Sequence, residues 1–467
     1  MKALKSLRKI VATIGLFSFV TLQAEEAKYI FYFIGDGMGP GQVMMTETYK
    51  HKALGESETL NMLQLPVHSF VTTYSASSPV TDSAAAGTAL STGSKTRNGM
   101  LGMDADTVAV TSVAKYLHDN GYGVAIMTNV AADDATPGAF YAHVANRGEY
   151  YKIGCQAADS EYELIAGSSL RGMKKSGKST GLAEYIESQG VQIVTSAEEV
   201  AESDNRRIIL LPKASIWESN MGFNIDKIEG AMSVADLTTT AINHLMRHTP
   251  EKFFMMVEGG NIDHAGHGND GGTVVKEVYA FDKAIGKALE FYAAHPDETL
   301  IVVTADHETG GLSVGNQYVG YNANPEYFVP QSMSKDIFSH YCDKLAKGTD
   351  TPKWEDMKQY LTDNFGFFTT VPVSDKEEEY LKAAFTSIFL KGEDNRQTTL
   401  YSNFNSFPVE VFKMLNNKAG AGWTTGGHSG NFVPLFAIGV GSELFVGQND
   451  NTEVSGKILK AAGVEAK

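Results

Sequence analysis

The chain has 467 residues, of which 43% are hydrophobic, 10% aromatic and 20% charged, values that exclude a disulfide-stapled miniprotein and a mainly disordered polypeptide. Its 39 lysines and arginines against 55 acidic residues give a formal net charge of −16, which disfavours a broad basic surface for nucleic acid. The length allows one large α/β domain with insertions, or two to three domains.

At the N-terminus, Lys2, Lys5, Arg8 and Lys9 precede an apolar run at 10–20, and Leu22-Gln23-Ala24 offers a cleavage point before Glu25. That is the anatomy of a secretory signal peptide over residues 1–24. Retention as a membrane anchor is the alternative, but the run is short of the ~20 residues that span a bilayer. The chain is therefore expected to be exported, to a periplasmic or extracellular location, without stable membrane insertion after cleavage. An oxidising compartment permits a bridge between Cys155 and Cys342, yet nothing requires one, and two buried thiols is the simpler reading.

The mature chain opens on a near-continuous apolar run at 28–34, as suits a strand buried on both faces. Similar runs recur at 123–130, 207–211, 253–257, 299–304 and 432–439, with amphipathic stretches such as 111–120 and 233–247 between them. Strand and helix alternate, which predicts an α/β fold, a three-layer α/β/α sandwich with a mostly parallel central sheet. From about 312 to 420 the texture shifts to Tyr, Asn, Lys and Glu in short helical pieces, for instance 354–365 and 375–385. This reads as an inserted mixed subdomain within a single catalytic domain over 25–467; a separate domain of unrelated function is the alternative.

Three apolar strands run into acidic residues at their carboxyl ends, at Asp36, Glu258 and Asp306-His307. Ligands of open α/β sheets bind outside those ends, so these groups should converge on one crevice. Clustered carboxylates repel, and a cation holds them together most economically. Imidazoles at His264, His267, His307 and His428, with Asp263, suit zinc; Asp36, Thr136 and Glu258 offer oxygen alone and suit magnesium. Thr81-Asp82-Ser83 before a run of alanines places a hydroxyl at a helix start; taken alone the segment reads as a helix cap, and beside a metal-rich crevice as an anion site with a nucleophilic hydroxyl. Arg147 could grip two phosphoryl oxygens or form a surface salt bridge.

Gly35-Asp36-Gly37-Met38-Gly39, Thr81-Asp82-Ser83-Ala84-Ala85, Asp134-Ala135-Thr136-Pro137 with Arg147, Val257-Glu258-Gly259-Gly260-Asn261-Ile262-Asp263 with His267, Thr304-Ala305-Asp306-His307 and Gly427-His428 resemble, in the same order, the successive motifs of alkaline phosphatases. The match spans about 29–439, and the 312–420 region resembles the family's variable insertion near the mouth of the active site. The resemblance implies hydrolysis of phosphate monoesters to alcohol and inorganic phosphate through a phosphoserine on Ser83, with Arg147 as phosphate clamp. It implies two Zn²⁺ and one Mg²⁺ per subunit: Asp263, His267 and His428 on one zinc, Asp306 and His307 on the second, and Asp36 bridging to magnesium with Thr136, Glu258 and, through bound water, Asp134. A homodimer is also implied.

One position departs from the pattern. Where enterobacterial members pair the aspartate corresponding to Asp134 with lysine, this chain has His264, as mammalian members do, while those have histidine in place of Asp134. A neutral imidazole beside the phosphate should retain product less firmly than an ammonium, so His264→Lys is expected to lower both the phosphate inhibition constant and kcat. Two rival readings remain. A phosphodiesterase or sulfatase of the same superfamily is one, although no Cys-x-Pro-x-Arg segment occurs. A non-catalytic exported phosphate- or metal-binding protein is the other, although no gap in the ligand set is visible.

Overall fold

Six consecutive apolar residues, Tyr29–Ile34, form strand β1, and every one of them is buried. The computed structural model describes residues 26–212 and 219–466, so the leader expected over 1–24 lies outside the described residues. The other strands of the central sheet are β2 (Val67–Thr72), β3 (Gly123–Thr128), β4 (Leu164–Ala166), β5 (Gln192–Val194), β6 (Ile208–Leu210), β7 (Phe253–Glu258), β8 (Thr299–Thr304), β9 (Val433–Gly439) and β10 (Gln448–Asp450). Their order is β10-β2-β9-β8-β1-β7-β3-β4-β6-β5. Among the described residues, β9 alone runs against both its neighbours and the other pairs are parallel.

The expected α/β class with a mostly parallel sheet is therefore what the chain adopts, and the alternation of side chains along β1 explains its layers. Phe31 and Phe33 face one way, onto Phe291 and Phe281 of the Gly271–Ala294 helix. Tyr32 faces the other way, onto Phe140, whose carbonyl receives the Ser112 hydroxyl at the start of the Val113–Asp119 helix. Helices thus cover both faces, which is why β1, β3, β7 and β8 read as unbroken apolar runs. The strands that lacked such a signal are three residues long, or, like β2, alternate buried and exposed positions near the sheet edge.

Register fixes the site. Ile34 lies opposite both Thr304 and Glu258, and Glu258 lies opposite Thr128, so four neighbouring strands end at one level. Whatever follows those residues is delivered to one crevice.

Residues 315–420 leave and return through a pair of short strands, Ser313–Val314 and Ala421–Gly422. Between them lie the helices Lys335–Lys347, Trp354–Phe365, Asp375–Phe385 and Ser406–Ala419, packed around Phe338, Phe365, Phe385, Phe407 and Phe412. Cys342 is buried there, Cys155 is half-buried in the Tyr150–Asp159 helix, and neither is in a disulfide.

Candidate active site

Ser83 opens a ten-residue helix, Ser83–Thr92. Alanines at 84–86 favour the helix, and Asp82 caps it, its Oδ1 accepting from Ala85 N at 3.0 Å. The cap reading of Thr-Asp-Ser is therefore correct for Asp82, whose Oδ2 accepts from Gly99 N at 2.9 Å and from Arg147 Nη1 at 3.3 Å. Gly87 lets this helix come close to the Ala135–Gly138 turn, where an added Cβ would meet Thr136 Cα at 3.3 Å. Ser83 is 1% exposed, and its Oγ lies 3.2 Å from His307 Nε2.

His307 is the hub of the crevice. Its Nε2 is 3.2 Å from Asp306 Oδ2 and 3.4 Å from Asp36 Oδ1. Its ring stacks on that of His428 with centroids 3.6 Å apart. His428 Nε2 is 3.2 Å from His267 Nε2 and 3.7 Å from Asp263 Oδ1, while His267 Nε2 is 3.4 Å from Asp263 Oδ2. The Nδ1 atoms point away onto protein acceptors: His267 onto Gly426 O at 2.7 Å and His428 onto Thr81 O at 2.8 Å. Those bonds assign the proton to Nδ1 and leave Nε2 bare. Thr309 Oγ1 donates to Asp263 Oδ1 and so accepts from His307 Nδ1 at 3.3 Å, giving the third imidazole the same orientation.

Two bare nitrogens facing each other at 3.2 Å, with carboxylates around them, are mutually repulsive unless a cation lies between. The buried acceptors agree. Asp36 Oδ1, Thr136 Oγ1, Glu258 Oε2, Asp263 Oδ2 and Asp306 Oδ2 have no hydrogen-bond partner. Burial, then the neighbouring carboxylates, push Asp36 well above its usual range, Glu258 up to about 8 and Asp306 up to about 7. Asp263 goes the other way, because His267, His428 and His307 outweigh its burial. Asp263, His307 and His428, and separately Asp36, Asp306 and His307, present ligand atoms close enough to share an ion. The donor chemistry, imidazole plus carboxylate on one side and oxygen alone at Thr136 and Glu258 on the other, fits two kinds of divalent cation.

Asp134 stands apart from that set, since its Oδ1 accepts from Ala135 N at 2.8 Å and Arg147 Nη2 at 3.1 Å, and its Oδ2 accepts from Arg171 Nη2. Burial opposes its charge, but Arg171 and Arg147 outweigh it and hold the carboxyl below the ordinary range. Arg147 is brought beside the Ser83 helix by the bridge between Leu101 and Val144 and by its own N–H on Gly99 O at 2.8 Å. His264 is buried and its ring lies tilted against that of Tyr401 with centroids 3.7 Å apart, its Nδ1 being 3.4 Å from Asn220 Nδ2.

All the residues singled out from the sequence thus gather in one crevice. Sequence reasoning did not find Arg171, Thr309 or Tyr401. Arg171 follows the carboxyl end of β4, the place the strand-end rule points to, but a three-residue strand carries no periodic signal. Tyr401 comes from the 315–420 segment, and only its packing reveals it.

A hydroxyl at a helix start, an arginine beside it and a buried nest of carboxylates and imidazoles, all at the strand ends of an α/β sandwich, define a metal-dependent phosphoric ester hydrolase. The family model described as alkaline phosphatase matches residues 27–170 and 156–464. The chain belongs to the alkaline phosphatase family and hydrolyses phosphate monoesters in a metal-dependent manner. Among its relatives, alkaline phosphatase 3 of Bacillus subtilis (strain 168) is 30% identical over 451 residues, covering 94% of this chain and 89% of that protein. The cold-active alkaline phosphatase of a psychrophilic Shewanella superposes with a TM-score of 0.78 at 27% identity, covering 93% of this chain and 99% of that one. A variant of TAB5 alkaline phosphatase with Mg bound in its M3 site superposes at 0.66 and 25% identity, covering 95% and 100%.

Proposed function

We propose that the monoester is cleaved in two displacements on Ser83. The observations that carry this reading are the orphaned atoms Asp36 Oδ1, Thr136 Oγ1, Glu258 Oε2, Asp263 Oδ2 and Asp306 Oδ2, and the 3.2 Å approach of Ser83 Oγ to His307, which itself contacts Asp36 and Asp306. Asp263, His267 and His428 would hold one zinc, Asp306, His307 and Asp36 a second, and Asp36, Thr136 and Glu258 a magnesium; Asp134, with its oxygens on arginine, is left to act through bound water. When bound, these ions lower the proton affinity of the Ser83 hydroxyl and offset the negative charge on the transferring group and the leaving oxygen.

Ser83 Oγ, its proton lost to solvent, forms a bond to phosphorus while the ester P–O bond breaks on the opposite side, and the alcohol leaves after taking a proton from water. Water then bonds to phosphorus as the Oγ–P bond breaks, Ser83 regains its proton and inorganic phosphate departs. Arg147 grips two non-bridging oxygens throughout, and the free N–H groups at the start of the Ser83–Thr92 helix favour the same anion. His264 borders the phosphate end.

The protein is further read as exported after loss of residues 1–24, periplasmic or extracellular, and a homodimer, with 312–420 an insertion in one catalytic domain. Among the described residues no helix is long and apolar enough to cross a membrane. The test is a nitrophenyl phosphate assay after chelation, with add-back of zinc and magnesium singly and together. Full activity is expected only with both. Activity indifferent to chelation would sink the proposed mechanism.

A further inference from the structure

Arg147 lies between two carboxylates, Asp82 and Asp134. Both of its Nη atoms contact those carboxylates, which offset the one positive charge offered to a dianion there. His264, the residue at the position where a cation could face Asp134, meets the Tyr401 ring at a centroid distance of 3.7 Å and Asn220 Nδ2 at 3.4 Å instead.

A second guanidinium arrives from another element. Arg171 Nη2 donates to Asp134 Oδ2, and its Nη1 donates to Tyr150 Oη at 2.9 Å. The guanidinium carbon sits 5.0 Å from the centre of the Tyr150 ring. The turn that carries it is clamped by the neighbouring aspartate: Asp133 Oδ1 accepts from Arg171 N at 3.0 Å and Asp133 Oδ2 from Gly172 N at 2.7 Å. Gly172 is required there, since a Cβ would meet Tyr150 O at 2.5 Å. Adjacent aspartates therefore hold the two ends of one arginine, Asp133 its backbone and Asp134 its fork. Only about a fifth of the Arg171 side chain is exposed, so the pair is poorly screened.

We infer that Arg171 is a positioning residue for phosphate binding: by occupying Asp134 Oδ2 it fixes Asp134, and through it Arg147, and offsets the Asp134 charge, leaving the Arg147 fork available to the phosphoryl group. This rests on the reading of Arg147 as the phosphate-binding group. It assigns the second cation at this end of the site to the turn after β4 instead of to position 264.

The experiment uses inorganic phosphate as a competitive inhibitor of nitrophenyl phosphate hydrolysis, with metal content measured on each variant. Arg171→Gln should raise the phosphate inhibition constant and KM by about tenfold while kcat changes by less than about threefold, with metal content unchanged. Because the effect runs through the charge of Asp134, Asp134→Asn combined with Arg171→Gln should lie within about twofold of Asp134→Asn alone. If Arg171→Gln fails to fold, Arg171→Lys, which keeps the charge and loses the fork, should raise the constant by about threefold with the same dependence on Asp134. Independent, multiplicative losses in the double variant, or an unchanged inhibition constant, would overturn the inference. Arg147→Ala separates the two claims. If it weakens phosphate while the Arg171 variants do not, only the inference fails; if it has no effect, the Arg147 reading fails and takes the inference with it.

Discussion

His264 is 6% exposed, burial brings its pKa down to about 4, and its ring lies tilted against that of Tyr401. The sequence alone suggested that lysine there would tighten phosphate. The structure argues otherwise, because both oxygens of Asp134 already have partners. His264→Lys would bury an ammonium without a free carboxylate, and buried unpaired charge is costly. We expect a lower urea midpoint and a phosphate inhibition constant within about twofold of the parent; a tighter constant at unchanged stability would restore the first view. His244, far from the chemistry, sets a pH dependence. Burial lowers its pKa to about 4, and its Nε2 donates to Arg206 O at 2.9 Å. The unfolded chain takes up this proton near 6.5 and the native chain only near 4, so this part of the stability is present above 6.5 and is lost as pH falls through that window. His244→Gln, which can still donate to Arg206 O, should flatten the fall in urea midpoint between those values by up to roughly 3 kcal/mol in stability. A parallel fall in both proteins would show that His244 does not titrate this way. At this scale Asp36, Glu258, Asp306 and His307 were legible because each lies at or just past the end of an apolar strand, and the remaining ligand residues through the resemblance of their motifs to those of a known family. Arg171 was not, because its partner Asp134 is distant in sequence and a lone arginine in a loop resembles any other.

Glu308 shows how whole elements are tied to the site. It is 1% exposed and accepts from Gln42 Nε2 at 2.7 Å, Gly311 N at 3.0 Å, Leu312 N at 3.1 Å and the Ser429 hydroxyl. Gln42 belongs to the Pro40–Leu54 helix, and Ser429 is paired with Glu308 in the ladder that also sets Thr309 opposite His428. One carboxylate thus ties the turn after Asp306-His307 to the strand carrying His428. Glu308→Gln turns one acceptor into a donor facing other donors, at a cost of about 1–3 kcal/mol. We expect a lower melting temperature and faster loss of metal on dialysis against chelator; unchanged metal retention would mean that the strap does not position the histidines. The long strands and amphipathic helices were readable from period, as with the stretch 233–247, which forms the Val234–His248 helix. The two-residue ladders Glu308–Thr309 and His428–Ser429 were not, because pairing that short is imposed by tertiary contacts.

For the whole molecule, −16 counts every carboxylate alike, yet Asp36, Glu258, Asp263 and Asp306 are buried together and belong to a cation nest more than to the surface. Net charge therefore says little about the anionic substrate, and the local arrangement decides it. The α/β layering was legible because both faces of the sheet are covered. How the 315–420 segment folds back to place Tyr401 on His264 was not, since no local pattern encodes the direction of return. With both thiols free, reductant should leave the melting temperature unchanged; a clear drop would reveal a bridge. The central claim, that Ser83 carries the phosphoryl group, is tested most directly by acid-quenching the metal-loaded enzyme during turnover and measuring its intact mass and modified peptide. The account predicts one phosphoryl group per chain on Ser83, absent after chelation and in Ser83→Ala. Turnover with an unmodified chain, or phosphate on a different residue, would contradict it.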